Sequence, residues 1–215
     1  MAVNIAGVVR DYWTSVPIAS AQVTTLGLKP LLVGTSDKTG RFTLSGRARI
    51  TLTLLAIKGP AGYVETIMPV ALADTPMVID TWAVTASDLA RQSAALGKVP
   101  VPNTTVVIVD LVDVPGQPLE RVPLTDVSLL GSDGGPSGDG PYCFGPGGDL
   151  QGQSDLSTSY AFDGQARVAF LAVPEGNHTL QVTAPGPDNR LAQLALQAPA
   201  RVGATLLEAR MANAT

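Results

Sequence analysis

The chain has 215 residues, of which 15% are charged, and a formal net charge of −4. Its 14 Lys and Arg residues form no cluster, which argues against nucleic acids and anionic membranes as partners. The 22 Gly and 17 Pro residues, combined with few charges, indicate many short strands joined by turns rather than a helical bundle. We therefore expect a mainly β fold.

The first part of the chain predicts about seven short strands. Alternating apolar residues or β-branched runs mark them at 3–11, 17–26, 31–36, 41–44, 50–57, 63–67 and 77–82. Asp37 and Gly40 predict a tight hairpin turn between two of these strands. The run 50–57 is the most apolar and β-branched, which is typical of a central strand.

A change of period marks a boundary after the last of these strands. Residues 85–97 are rich in Ala and Leu, with Thr85 or Ser87 as the N-cap and Gly97 at the end, so they predict a helix. Pro100 and Pro102 follow and stiffen the chain. We predict a β-sandwich over 1–84, a helical and Pro-containing linker over 85–103, and a second β-sandwich over 104–215.

The second part repeats features of the first. Strands are predicted at 105–112, 116–124, 127–130, 166–173, 178–182, 191–196 and 204–211. The segment 116–124 is similar to 17–23, and a second hairpin is expected at Asp163 and Gly164. Residues 131–154 are heavy in Gly, Pro, Ser and Asp and predict a long loop that is either flexible or functional.

Cys143 is the only cysteine, so the chain forms no internal disulfide. A buried apolar thiol is one interpretation, and pairing with another molecule is the alternative. The N-terminus has no positive region followed by a long apolar run, so no signal peptide is expected in this chain, and no run of about 18 apolar residues predicts insertion in a membrane.

The spacing of turn and core residues carries a resemblance. The segments are Val3-x-Ile5-x-Gly7-x-Val9-x-Asp11, Pro17-Ile18-x-x-Ala21-x-Val23, Thr35-x-Asp37-x-x-Gly40-x-Phe42-x-Leu44 and Gly62-Tyr63, with Gly116-x-Pro118-Leu119-x-x-Val122 and Asp163-Gly164-x-Ala166-x-Val168 in the second half. The chain resembles the carboxypeptidase regulatory-like family of Ig-like β-sandwiches of the prealbumin (transthyretin) type. The resemblance implies two tandem sandwiches with scaffolding, adhesion or ligand-contacting roles, and an extracellular or cell-surface location.

Enzymes of the same architecture need residues that this sequence lacks. Hydroxyisourate hydrolases and intradiol dioxygenases use several His residues, whereas His178 is the only one here. Isopeptide-crosslinked pilin modules need a Lys in the first strand, and neither 3–11 nor 105–113 contains one. We expect no enzymatic activity and no cofactor.

Two candidate sites lie in or near the long loop. One is a calcium site, because carboxylates among glycines are typical ligands of that cation, at Asp133, Asp139, Asp149 and Asp155. The other is an aromatic contact surface for a sugar or a protein, at Tyr142, Phe144, Tyr160 and Trp13. Solvated turns and core packing, respectively, are the alternatives for these residues.

The sequence thus supports two hypotheses about function. The first is a non-catalytic structural or assembly protein of a surface, appendage or phage-like particle, with protein partners that include further copies of the chain. Apolar ends such as 2–9 and 204–211 are the predicted strands for adding to a neighbour's sheet. The alternative is a carbohydrate-binding or small-ligand-binding module that uses the loop 131–154.

Overall fold

The computed structural model describes residues 2–47, 52–113, 116–152, 157–162, 164–185 and 191–211. This part of the chain is mainly β, as predicted, with a single α-helix. The chain divides into two compact units, Met1–Leu89 and Ala90–Thr215. No helix among the described residues has the length and hydropathy needed to cross a membrane.

The first unit packs two sheets around one core. Its strands are β1 (Ala2–Asp11), β2 (Gln22–Leu26), β3 (Val33–Thr35), β4 (Arg41–Arg47), β5 (Leu52–Lys58), β6 (Glu65–Ala71), β7 (Met77–Val78) and β8 (Thr81–Ala83). In one sheet, β1 pairs with antiparallel β4 and with the short parallel strands β7 and β8. The other sheet contains the antiparallel order β3-β2-β5-β6. Inward residues of both sheets, such as Ile5, Phe42, Val23 and Ile57, form one buried cluster, which makes this unit a β-sandwich.

The predicted tight turn at Asp37 and Gly40 forms, but the hairpin prediction is wrong, because β3 pairs with β2 and β4 pairs with β1 in different sheets. The predicted central strand is confirmed. The carboxylate of Asp37 accepts hydrogen bonds from the backbone N–H groups of Thr39 (2.7 Å) and Arg41 (3.0 Å), and Gly40 adopts φ +77°. Strand β5 has a neighbour on each side, because β2 and β6 both pair with it. Residues 50 and 51 of the predicted strand lie outside the described residues.

The predicted helix is confirmed as α1 (Ala86–Ala95). The Thr85 hydroxyl oxygen accepts a hydrogen bond from the backbone N–H of Asp88 (3.0 Å), which is the N-cap geometry that the sequence indicated. Gly97, at φ +67°, ends the helix, and the N–H of Lys98 donates to the carbonyl of Ser93 (2.9 Å). The helix contains the division between the two units, and its role as a linker stays a prediction.

The second unit also packs two sheets around one core. Its strands are β9 (Thr105–Asp113), β10 (Val127–Leu130), β11 (Asp139–Phe144), β12 (Leu150–Gln151), β13 (Ala161–Phe162), β14 (Gln165–Val173), β15 (Gly176–Pro185), β16 (Leu191–Ala200) and β17 (Gly203–Met211). One sheet contains the order β12-β11-β14-β9-β17, and β13 also pairs with β14. The other sheet has the order β10-β15-β16. Buried residues of both sheets, including Val109, Phe170, Leu129 and Leu180, form one cluster.

The prediction that 131–154 forms a long loop is wrong. Strands β11 and β12 lie in this segment and pair with each other, and β11 also pairs with β14. The reason is local: between the Gly and Pro residues, Tyr142, Cys143 and Phe144 are apolar enough to be buried as a strand. The high Gly and Pro content of the segment favoured a loop and masked this run of three buried residues.

Each unit contains the same hydrogen-bonded corner around a buried serine. In the first unit the Ser36 hydroxyl donates to the carbonyl of Ile18 (2.7 Å) and accepts from the N–H of Ala21 (2.9 Å). The N–H of Ser36 donates to the carbonyl of Ala21 at 2.9 Å. The Ser36 side chain therefore stabilises the bend that leads into β2 through two hydrogen bonds to backbone groups.

The second unit repeats this corner with Ser159. Its hydroxyl donates to the carbonyl of Leu119 (2.7 Å) and accepts from the N–H of Val122 (2.9 Å), and its N–H donates to the carbonyl of Val122 (2.8 Å). The similarity between 17–23 and 116–124 therefore corresponds to an equivalent structure. In the second predicted hairpin Gly164 adopts φ +72°, and Asp163 lies outside the described residues.

The apolar ends that the sequence predicts for addition to a neighbour's sheet are both strands of the chain's own sheets. Residues 2–9 belong to β1, which has partner strands on both sides. Residues 204–211 belong to β17, which pairs with β9 along its whole length as a parallel strand. Internal pairing therefore uses backbone groups of both strands, and their addition to a neighbour's sheet stays a prediction.

Candidate functional site

Two of the predicted contact aromatics are buried in the second unit. Tyr142 and Phe144 lie on β11 and have only 9% and 3% of their surface exposed. The Tyr142 hydroxyl donates to a carboxylate oxygen of Asp139 (2.6 Å), and the Lys98 ammonium lies 5.1 Å from the centre of the Tyr142 ring. Lys98 also pairs with the other oxygen of Asp139. These contacts hold the segment after α1 against β11.

This network shifts the pKa values of its members. Burial raises the pKa of Asp139, but hydrogen bonds from Lys98 and Tyr142 outweigh it, and the net pKa lies below the usual value. The hydrogen bond to Asp139 is also the main reason that the pKa of Lys98 is raised. Both groups are therefore charged at neutral pH, as an ion pair requires.

The four predicted calcium ligands have different surroundings. Asp139 pairs with Lys98, and Asp149 pairs with Arg91 of α1. Asp133 accepts a hydrogen bond from the N–H of Gly135 (3.0 Å) within its own turn, and Asp155 lies outside the described residues. Among the described residues, no three His, Cys, Asp or Glu side chains are grouped so that they could hold a metal ion. Calcium binding stays a prediction, and it would require Asp139 and Asp149 to break their ion pairs with Lys98 and Arg91.

The remaining predicted residues lie in separate places. Tyr160 is 39% exposed, and Trp13 is half-buried in the turn after β1. That turn is organised by the buried carboxylate of Asp11, which accepts hydrogen bonds from the N–H of Thr14 (2.7 Å) and the hydroxyl of Tyr63 (3.0 Å). The structure places Tyr160 and Trp13 in different units.

The thiol and the imidazole are both buried. The Cys143 side chain is fully buried, and its Sγ donates to the carbonyl of Thr158 (3.0 Å). Burial raises the pKa of Cys143 to about 12, which favours the unreactive thiol. His178 is 6% exposed, and its Nε2 lies 2.9 Å from the carbonyl oxygen of Pro174, so the ring packs on the turn between β14 and β15.

Strand edges are the other features that could contact a partner, because an open edge presents unpaired N–H and C=O groups. In the first unit β4 carries the exposed charges Arg41 and Arg47, and β3 is only three residues long. Charge and shortness both discourage pairing with another chain. These edges are protected.

Two edges of the second unit are covered by its own chain. The Gln92 side chain of α1 donates to the carbonyl of Gly148 (3.0 Å), in the turn before β12, and accepts from the N–H of Leu150 (2.7 Å), in the edge strand β12 itself. The N–H of Ser137 donates to the carbonyl of Leu129 (2.8 Å), which covers part of β10. The chain therefore uses side-chain and backbone donors to close both edges.

Over residues 192–198, strand β16 has no charged side chain, and no described segment covers its outer edge. It pairs with β15 over ten residue pairs, and within the described part of the chain no strand pairs with its other edge. Its ten residues, LAQLALQAPA, include no charged side chain. Gln193, Ala195 and Gln197 are exposed on its outer face. We take this edge as the candidate partner interface.

The direction of the free backbone groups of β16 follows from Pro199. The carbonyl of Pro199 accepts a hydrogen bond from the Thr205 hydroxyl (2.9 Å), so it points away from β15, and Pro has no N–H to donate. In an antiparallel pair, residues alternate between bonding the partner strand and pointing away from it. Gln193, Ala195 and Gln197 lie an even number of residues before Pro199, so their N–H and C=O groups point to the same side of the strand. That side is the open edge.

Comparisons with known proteins add little. No protein-family model and no curated protein matches the chain. Solved structures that the chain matches include the Bacillus anthracis TIE protein, with 10% identity and a TM-score of 0.33. The match covers 99% of this chain and 34% of the TIE protein chain. Another is the shaft pilin SpaA of Lactobacillus rhamnosus GG, with 12% identity and a TM-score of 0.32, over 100% of this chain and 99% of that chain. A third is the major pilin subunit BcpA of Bacillus cereus, with 8% identity and a TM-score of 0.31, over 100% of both chains. At these TM-scores the similarities support no conclusion about this chain.

Proposed function

We propose that this chain is a non-catalytic structural protein that takes part in an assembly through protein–protein contacts of its β-sandwiches. The observation that carries the proposal is the edge of β16, which is ten residues long, uncharged and without a second partner strand among the described residues. Strand addition at such an edge supplies main-chain hydrogen bonds to a partner. It requires no catalytic group and no cofactor.

The setting that we propose is a surface, an appendage or a phage-like particle. The resemblance to carboxypeptidase regulatory-like modules of the prealbumin type supports this, because such modules scaffold or adhere and usually occur outside the cell. The repeated Ser36 and Ser159 corners support a tandem arrangement of related modules. Low charge density, at 15% of residues, also reduces the electrostatic cost of association.

Light scattering on the purified chain tests the proposal. The average mass is measured from about 10 µM to 1 mM protein, a range that detects association as weak as about 4 kcal/mol. The mass of one chain is 22.1 kDa, and we expect the average to rise above it with concentration. Parallel samples with calcium and with chelator test the predicted calcium site. A mass that stays at 22.1 kDa throughout contradicts self-assembly.

A further inference from the structure

Strand β16 has a sequence that reads the same in both directions. From Ala192 to Ala198 the residues are Ala-Gln-Leu-Ala-Leu-Gln-Ala, centred on Ala195. A symmetric dimer requires one surface patch to be complementary to itself, with residue i facing j and j facing i. A palindromic strand meets that requirement when it pairs antiparallel with its own copy.

The backbone of β16 suits this register. With Ala195 facing Ala195 of a second copy, Gln193 faces Gln197, and these are the residues whose N–H and C=O groups point to the open edge. Each such pair exchanges two N–H···O bonds, so the three pairs form a regular ladder. The side of β16 that bonds β15 is left unchanged.

The side chains match as well. On the outer face the opposed residues are Gln193 with Gln197, whose amides both donate and accept hydrogen bonds, and Ala195 with itself. On the inner face Leu194 opposes Leu196, and both are half-buried against the core of the second unit, so pairing removes more of their apolar surface from water. No charged side chain on β15 or β16 faces its copy.

We propose that two copies of this chain pair edge to edge through β16, antiparallel and centred on Ala195, so that the sheets β10-β15-β16 of the two copies form one continuous sheet. This inference rests on the proposed assembly function and names the partner as a second copy. One strand edge buries less than a standard interface of about 1,600 Å², so the pair is a weak dimer unless further contacts add to it.

Two substitutions at Ala195 test the register. Ala195→Pro removes the N–H that faces the open edge, and edge strands tolerate Pro because no bond to β15 is lost. Ala195→Lys places two positively charged side chains directly opposite each other, with their Cα atoms about 5.5 Å apart across the two-fold axis. We expect each variant to weaken dimerisation at least tenfold, as measured by sedimentation velocity on the full chain, with circular dichroism as the check of folding.

Gln181→Lys is the matched control. Gln181 pairs with Ala195 from the inner strand β15 and is exposed on the same face. In the proposed dimer the two introduced charges lie three strand spacings apart, about 14 Å. That exceeds the Debye length of about 8 Å at physiological salt, so we expect the dimer affinity to change by less than about threefold.

Amide hydrogen exchange gives a second test that needs no substitution. The N–H groups of Leu194 and Leu196 bond β15 and are expected to be protected at every concentration. Those of Gln193, Ala195 and Gln197 are expected to become protected only as the dimer forms. If the chain assembles but both Ala195 variants assemble equally well, this inference is overturned and the proposed function stands. A parent chain that is monomeric up to 1 mM overturns this inference and contradicts self-assembly, whereas assembly with a different protein remains within the proposed function.

Discussion

The buried serine corners allow the same perturbation to be made in each unit. Ser36 and Ser159 have 5% and 2% of their surface exposed, and each hydroxyl makes one donated and one accepted bond to backbone groups. Replacement by Ala leaves a backbone N–H and a backbone C=O without these bonds. Each unsatisfied buried group costs about 1–3 kcal/mol, and local relaxation recovers part of it, so we expect each variant to lose about 2–4 kcal/mol.

Urea unfolding distinguishes the two sites. Both Trp residues of the chain, Trp13 and Trp82, lie in the first unit, so their fluorescence follows that unit, whereas far-ultraviolet circular dichroism follows strands of both. Ser36→Ala is expected to lower the fluorescence midpoint. Ser159→Ala is expected to shift the circular dichroism transition and to leave the fluorescence midpoint nearly unchanged.

Ser45→Ala is the control for this pair. Its hydroxyl is exposed and bonds the exposed side chain of Asn4 (2.5 Å), so its removal should change the free energy of unfolding by less than about 0.5 kcal/mol. A loss below about 0.5 kcal/mol in Ser36→Ala as well would refute the reasoning, because the corner would then contribute no more than a surface hydroxyl.

Four further predictions concern single positions or ions. Burial raises the pKa of Asp11, but hydrogen bonds from Thr14, Tyr63 and Trp13 outweigh this effect, so the pKa lies below its usual value. Asp11→Asn should therefore destabilise the first unit at neutral pH, and this effect should disappear as pH falls through the pKa of the folded state. Urea titrations at several pH values measure it. Gly7→Ala puts a Cβ 1.7 Å from the carbonyl oxygen of residue 79 and should cost more than about 3 kcal/mol, whereas Gly147→Ala, with no atom within 4 Å, should not. Cys143 should resist alkylation until the chain is unfolded, and rapid labelling of the native protein would contradict its burial. Calcium should leave the thermal midpoint unchanged, and a rise that chelator reverses would support the predicted site instead.

The strands could be predicted from sequence where side-chain alternation was clear. Val3, Ile5 and Val9 lie at alternating positions of the segment 3–11, and β1 follows that pattern with these side chains inside. Residues 105–112 are nearly apolar on both faces, as expected of an interior strand, and β9 has a partner strand on each side. The segment 139–144 was missed because Gly and Pro surround it and only three successive residues carry the burial signal.

The corner serines could not be identified in advance. Ser36 directly precedes Asp37, whereas Ser159 precedes Asp163 by four residues, so no fixed spacing links the two serines to the turns that follow. Their role depends on backbone groups about 15 and 40 residues earlier in the chain, which only the fold brings together. A repeated Pro-apolar-x-x-apolar pattern at 17–21 and 118–122 was the available signal, and it located the corner but not the serine.

The open edge of β16 likewise depends on topology. The sequence predicts a strand at 191–196, but whether a strand is interior or at an edge depends on partners elsewhere in the chain. A palindrome in an interior strand would have no consequence, since both sides of its backbone would already be bonded. In an edge strand it provides a self-complementary ladder.

The absence of charge on β16 is itself an argument for pairing. Gln193, Ala195 and Gln197 are exposed, so a Lys at any of them would protect the edge without disturbing the core. The chain uses such devices elsewhere, because β4 carries exposed Arg residues and Gln92 covers β12. A charge at the three positions of β16 would instead be brought next to a neighbouring strand in the proposed dimer and repel its copy. The uncharged edge is therefore what the proposed pairing requires, and an edge that only faced water would not require it.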